Sequence, residues 1–106
     1  MTMDDAPMAA LDEGLRALAN PVRRRILQAL KTPERDFPGQ AHPYEFGVCA
    51  SKIEAACGLS QSTVSAHLAL LTQTGLLSAQ KIGQWVFYKR DEAAIARFVA
   101  ALGQSL

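Results

Sequence analysis

The chain has 106 residues, 49% hydrophobic and 20% charged, with a net charge of +1, a composition that suits a soluble domain with a modest core. No apolar run approaches the ~18 residues a membrane helix needs. The opening "MTMDDAPMAA" is acidic where a secretory signal is basic, and two cysteines, Cys49 and Cys57, do not make a disulfide scaffold. These features predict a cytoplasmic protein with no membrane association, organised as a single domain over residues 1–106.

Met8, Leu11, Leu15 and Leu18 are spaced as one face of a helix over about 7–18. In "NPVRRRILQAL", Asn20 is a good N-cap and Pro21 a good first helical residue. Val22, Ile26, Leu27 and Leu30 form the buried stripe of that second helix, with Arg23, Arg24 and Arg25 mostly outside it. From Thr32 to Gly47, three prolines and two glycines predict neither helix nor central strand. A loop of this length is uncommon and often functional, and Phe37, Tyr44 and Phe46 are its anchors. "CASKIEAACG" predicts a short helix over about 49–57 with Gly58 past its end. Ser60 caps the next helix, about 61–74, and Gly75 ends it. "LLSAQKI" and "WVFYKR" predict two strands joined by Gly83-Gln84. Asp91 caps a last helix with Ile95, Phe98, Val99 and Leu102 at helical spacing. The fold class is therefore mainly α with a small β-hairpin. Two helices joined by the tight Gly58-Leu59-Ser60 turn, followed by a hairpin, predict a winged helix-turn-helix.

Charge distribution sharpens the functional reading. From Ala55 to Arg90 there is no acidic residue, whereas Lys81, Lys89 and Arg90 lie there. On a wheel at 100° per residue, Val64, Leu68 and Leu71 face the core, and Ser62, Ala66, Ala69 and Gln73 fall opposite, flanked by Thr63 and Ser65. A solvated helix normally carries Glu and Lys on such a face. A small, polar, carboxylate-free face suits close approach to double-stranded DNA, and the first residues of a recognition helix are those that meet base edges. The predicted DNA contacts are Gln61, Ser62, Thr63, Ser65 and His67 on the helix and Lys81, Lys89 and Arg90 on the hairpin. Ser60 is read as a cap. His67 lies beside the core stripe, where packing, a phosphate contact and base reading are all open, and a metal role has no second ligand nearby in sequence. The competing reading is a winged-helix protein-interaction module that does not bind DNA. An enzyme is poorly supported, because His42 and His67 have no nucleophile or carboxylate at informative spacing and no phosphate-binding loop is present.

"LANPVRRRILQAL", "GLSQSTVSAHLALLTQTGLL" and "GQWVFYKRD" together resemble the ArsR (arsenical-resistance repressor) family of winged-helix regulators, over about 14–91 apart from the loop. The resemblance implies a homodimeric transcriptional repressor on a palindromic operator, pairing through its first and last helices and releasing DNA when an inducer binds. Met8, Leu11, Leu15 and Leu18, with Ile95, Phe98, Val99 and Leu102, fit that interface. Independently, both stripes lie on terminal helices that a core of this size need not cover.

Many members of that family sense metals, and the resemblance locates where. A Cys pair opens the third helix in one type, but here, in "EFGVCAS", Gly47 stands in place of the first Cys. In another type His, Asp and Glu lie on the last helix, which here has no His and no acid beyond Glu92. Thiophilic ions need two to four soft ligands. No metal or other cofactor is expected. On a continuous helix Cys49 and Cys57 are ~12 Å apart, beyond the ~7 Å a disulfide spans. The inducer is therefore predicted to be non-metal, a small molecule or an oxidant, sensed at Cys49 with Phe37, Tyr44 and Phe46.

Overall fold

The computed structural model describes residues 5–106, with side chains from Met8 onward. Helix α1 spans Asp5–Leu18 and α2 spans Pro21–Ala29. Asn20 caps α2 as its position predicts: its Oδ1 accepts from the amides of Val22 at 2.9 Å and Arg23 at 3.1 Å. The last carbonyls of α1 need donors from elsewhere, and the arginines of α2 supply them. Arg23 Nε donates to the Ala17 carbonyl at 2.6 Å and its Nη2 to Arg16 at 3.2 Å, while Arg24 donates to Leu18 at 2.5 Å. Cations are favoured at a helix C-terminus, so this arginine run joins α1 to α2 instead of lying free on the surface.

The segment predicted to lack secondary structure is more ordered than its prolines suggest. Pro33–Asp36 forms a one-turn helix, α3, and Tyr44–Phe46 a 3₁₀ turn. Pro33 sits at the start of its turn, where its missing N–H costs nothing. Phe37 leaves α3 into the core, only 4% exposed. Gln40 then fastens the segment. Its Oε1 accepts from the Cys49 amide at 2.8 Å, and its Nε2 donates to the carbonyls of Gly47 and His42, each at 3.0 Å. Tyr44 donates its hydroxyl to the Phe37 carbonyl at 2.5 Å.

Strand β1, Val48–Cys49, follows, then α4, Ala50–Cys57, and α5, Gln61–Gln73. Gly58 ends α4 in the left-handed region, φ 65°, as a glycine in that place predicts. Strands β2, Leu77–Ile82, and β3, Trp85–Arg90, form the hairpin, and α6 covers Glu92–Ser105. The sheet has three antiparallel strands in the order β1-β3-β2, not two. Val48 pairs with Tyr88 and Cys49 with Phe87, so Cys49 ends a strand and is at the same time the N-cap of α4.

The core sits where α2, α4, α5 and the sheet meet. Ile26, Leu27, Leu30, Phe37, Val48, Ile53, Val64, Leu68, Leu71, Leu76 and Leu77 are all buried in it. Burying one such side chain fully stabilises the fold by about 1.5–3 kcal/mol, and Val64, Leu68 and Leu71 hold α5 on this core through three successive turns. Helix α6 has no fully buried residue. It lies along α1, with the Phe98 ring on the Cα of Gly14, where a side chain would collide with it. Among the described residues, no helix is long and apolar enough to cross a membrane.

Candidate nucleic-acid interface

The short Gly58-Leu59-Ser60 turn sets α5 against α4, and the packing of Val64, Leu68 and Leu71 turns the other side outward. Gln61, Ser62, Thr63, Ser65, Ala66, Ala69 and Gln73 are all exposed. The wheel is thus reproduced residue for residue. Ser60 Oγ accepts from the Thr63 amide at 3.3 Å and shares a 2.7 Å hydrogen bond with the Thr63 hydroxyl. Thr63 therefore takes part in the cap, Ser62 Oγ also lies 3.3 Å from Ser60 Oγ, and Gln61, Ser62 and Ser65 carry the outward polar groups. The first turn holds no acidic residue, so the positive end of the helix dipole is uncompensated and suited to phosphate.

His67 belongs to the interior edge of α5. Its Nδ1 lies 3.1 Å from Arg23 Nη1. The guanidinium can only donate, so Nδ1 accepts and, in the neutral ring, Nε2 holds the proton. Arg23 is the same side chain that closes the end of α1. Through Arg23, His67 ties α5 to α1 and α2.

The wing has two unlike faces. Alternation places Trp85, Phe87 and Lys89 on one side of β3, and that side is covered by the segment before β1. The His42 ring meets Phe87 edge-on at 5.1 Å between centroids and lies 5.4 Å from Trp85, and Phe46 lies 5.9 Å from Phe87. Lys89 Nζ reaches the Glu45 carbonyl at 3.1 Å while remaining exposed. Lys81 is exposed on β2 near the hairpin tip, and Trp85 beside that tip is 41% exposed.

Arg90, expected to contact DNA, is engaged within the chain. Its side chain is 12% exposed, with Nε 2.7 Å from Glu92 Oε1 and Nη1 donating to the Leu27 carbonyl at 3.0 Å. Backbone amides satisfy the neighbouring carbonyls of Ile26, Gln28 and Ala29. Arg90 supplies the missing donor at the end of α2, a structural role.

The expected sensor residues have different surroundings. Phe37 is in the core, Tyr44 is held by Phe37 and Gln40, and Phe46 packs on the wing. Cys49 is buried, and its Sγ lies 3.3 Å from Ser51 Oγ. Cys57 is half-buried, and burial pushes its thiol above the usual range. Gly47 has a conformational reason to be glycine. Its φ is 103°, and a Cβ there would sit 2.5 Å from the Tyr88 carbonyl oxygen. Among the described residues, no group of three or more His, Cys, Asp or Glu side chains could hold a metal ion.

The stripes expected at a dimer interface divide in two. Met8, Leu15 and Val99 are 48%, 40% and 59% exposed. Leu11 and Leu102 are half-buried, and Leu18, Ile95 and Phe98 pack against the chain's own core.

A short helix, a tight turn, an outward-facing second helix and a following β-hairpin define a winged helix-turn-helix, the class of protein that places one helix in the major groove. Residues 48–79 match the family described as bacterial regulatory proteins, arsR family. The HTH-type transcriptional regulator YbzH of Bacillus subtilis is 42% identical over 91 residues, covering 80% of this chain and 87% of that protein. The nodulation protein NolR of Rhizobium meliloti is 33% identical over 99 residues, covering 93% of this chain and 69% of that one. The solved homodimeric winged helix-turn-helix DNA-binding domain of a Mycobacterium bovis regulator superposes with a TM-score of 0.61 at 26% identity, over 99% of this chain and 89% of that one. The chain belongs to the ArsR family. It is a DNA-binding transcriptional regulator and not an enzyme.

Proposed function

We propose that residues 1–106 act as one domain that represses transcription as a homodimer on a pseudo-palindromic operator, and that a non-metal inducer releases the DNA. The observation that carries the reading is the exposed, uncharged outer face of α5 within a stretch, Ala55 to Arg90, that has no carboxylate. Such a face meets neither repulsion from phosphate nor a desolvation cost from its own charges. The exposed Met8, Leu15 and Val99 on the paired α1 and α6 support the dimer, as does the homodimeric state of the M. bovis relative. A twofold dimer sets its half-sites about one or two helical turns apart. Gly47, which leaves no room for a Cys side chain against Tyr88, supports a non-metal signal.

The test is a gel-shift selection from a randomised palindrome. Gln61→Ala with Ser65→Ala is expected to change which bases are preferred, at about 1–3 kcal/mol per lost bidentate contact. Unchanged sequence preference and affinity in that double variant would refute α5 as the reading helix.

A further inference from the structure

Between α2, α3 and the last turn of α4 lies a cleft of about 430 Å³, within the ~300–1,000 Å³ range of small-molecule sites. It has no part in the DNA-facing surface. Its walls are apolar, from Val22, Ile26 and Ala29 on α2, Phe37 after α3, and Ala56 on α4. Its polar lining is Arg25 and Gln28 on α2 and Arg35 and Asp36 on α3. Unlike Arg23 and Arg24, Arg25 makes no hydrogen bond or ion pair with any described residue, although it follows them directly in the helix. Among the described residues, the Arg35 side chain is bound only to Asp36, at 3.2 Å, and is 76% exposed, so this pair contributes little and exchanges readily for another anion. Asp36 also accepts from Thr32 at 2.6 Å, and these two bonds, with Thr32 the larger influence, hold its carboxyl below the usual range. Cys57 closes the cleft beside Ala56.

We propose that this cleft binds a small amphiphilic monoanion, a carboxylate with an aromatic or branched aliphatic body. The apolar body sits against Ile26, Ala29 and Phe37, and the carboxylate lies on the Arg25 guanidinium, whose fork suits bidentate contact. Charge complementarity sets the choice: the Asp36 carboxylate in the lining is already engaged by Arg35 and Thr32, whereas the exposed Arg25 guanidinium has no partner among the described residues, so the charge left to meet a ligand is positive and favours an anion over a cation or a neutral analogue. The position also matters for regulation. Ala56 and Cys57 form the last turn of α4, and the next three residues are the turn that sets α5. A ligand that separates α4 from α2 therefore re-aims the reading helix. This last step rests on the regulator reading above; the binding itself does not.

The experiment is a ¹H–¹⁵N NMR titration of the full chain with 4-phenylbutyrate, 4-methylpentanoate and 4-phenylbutanamide. Saturable shifts are expected at residues 22–37 and 56–58 with an acid, and binding about tenfold weaker with the neutral amide. Arg25→Gln is expected to weaken the acids about tenfold and leave the amide unchanged. Ala56→Trp, which fills the hollow, should abolish binding of all three. Should that variant fail to fold, alkylation of Cys57 by iodoacetamide in the unaltered chain decides, with at least a fivefold slowing expected under saturating acid. Equal affinity for acid and amide, shifts confined to other regions, an unprotected Cys57, or no saturable shifts with either acid would overturn the assignment. Operator binding is measured on the same preparations without ligand. Its absence would overturn the regulator reading and leave the cleft result standing. Operator binding intact, with no shifts at the cleft, would overturn the cleft alone.

Discussion

Helices α5 and α6 each begin with a side chain accepting from a first-turn amide, Ser60 and Asp91. Each carries an apolar stripe at helical spacing, yet the α5 stripe is fully buried by its own chain, whereas the α6 stripe is split between Ile95 and Phe98, packed on the core, and an exposed Val99. Val64, Leu68 and Leu71 are at most 1% exposed, whereas Val99 on α6 is 59% exposed. The difference lies in what each helix packs against. Helix α5 has α2, α4 and the sheet around it, while α6 has chiefly α1, itself a terminal helix with exposed Met8 and Leu15. An amphipathic pattern thus says that a helix has an apolar face, and the position of the helix in the chain says whether that face is satisfied within the molecule. For α5 the informative side is the polar one left over after folding; for α6 it is the apolar one.

The same truncation on each helix tests that contrast. Leu68→Ala should cost about 2–5 kcal/mol in urea unfolding, whereas Leu102→Ala, half-buried at the end of α6, should cost about 1 kcal/mol or less in dilute protein. Equal costs would remove the distinction. Next in size is the effect on assembly. Leu15→Glu with Val99→Glu should give folded monomers by sedimentation and lower operator affinity about a hundredfold, because the two half-sites are no longer bound as one unit. A double variant that stays dimeric breaks the proposed pairing. The smallest effects divide two cations that sequence alone grouped together. Arg90→Gln should lower stability by about 1–3 kcal/mol through the lost bonds to Leu27 and Glu92, with the salt dependence of DNA binding unchanged. Lys81→Gln should leave stability unchanged and lower the salt slope of the dimer by about two, one for each protomer. Exchange of these two outcomes would place Arg90 on the DNA and Lys81 in the structure.

How far the fold was legible depended on whether a residue's role is local. The caps at Asn20, Ser60 and Asp91, the glycine after α4 and the stripe of α5 are set by neighbours within four positions, and all appear where the sequence indicates them. Strand β1 was invisible because two residues have no period; its existence depends on pairing with Tyr88 and Phe87, some forty positions away. Arg90 and His67 were read from charge and wheel position, but their partners, Leu27 and Arg23, lie 63 and 44 residues distant. The aromatic residues before β1 were legible as anchors, though not as the cover of a sheet face. One signal was available for that cover: Trp85, Phe87 and Lys89 alternate along β3 with two aromatics on the side that a bare hairpin would expose to water.

That cover gives the wing a clock. Cys49 lies in the strand beneath it, and three bonds from one side chain, Gln40, hold the segment over it. A thiol reagent therefore reaches Cys49 only during the fraction of time in which the segment has lifted. The rate at which Cys49 is labelled, divided by its rate in the urea-unfolded chain, equals the opening constant of that segment alone when opening and closing are fast relative to labelling. Gln40→Ala should accelerate this labelling well before it lowers the melting temperature, so that the reaction of one buried sulfur times the breathing of the wing's cover while the core of α5 stays shut.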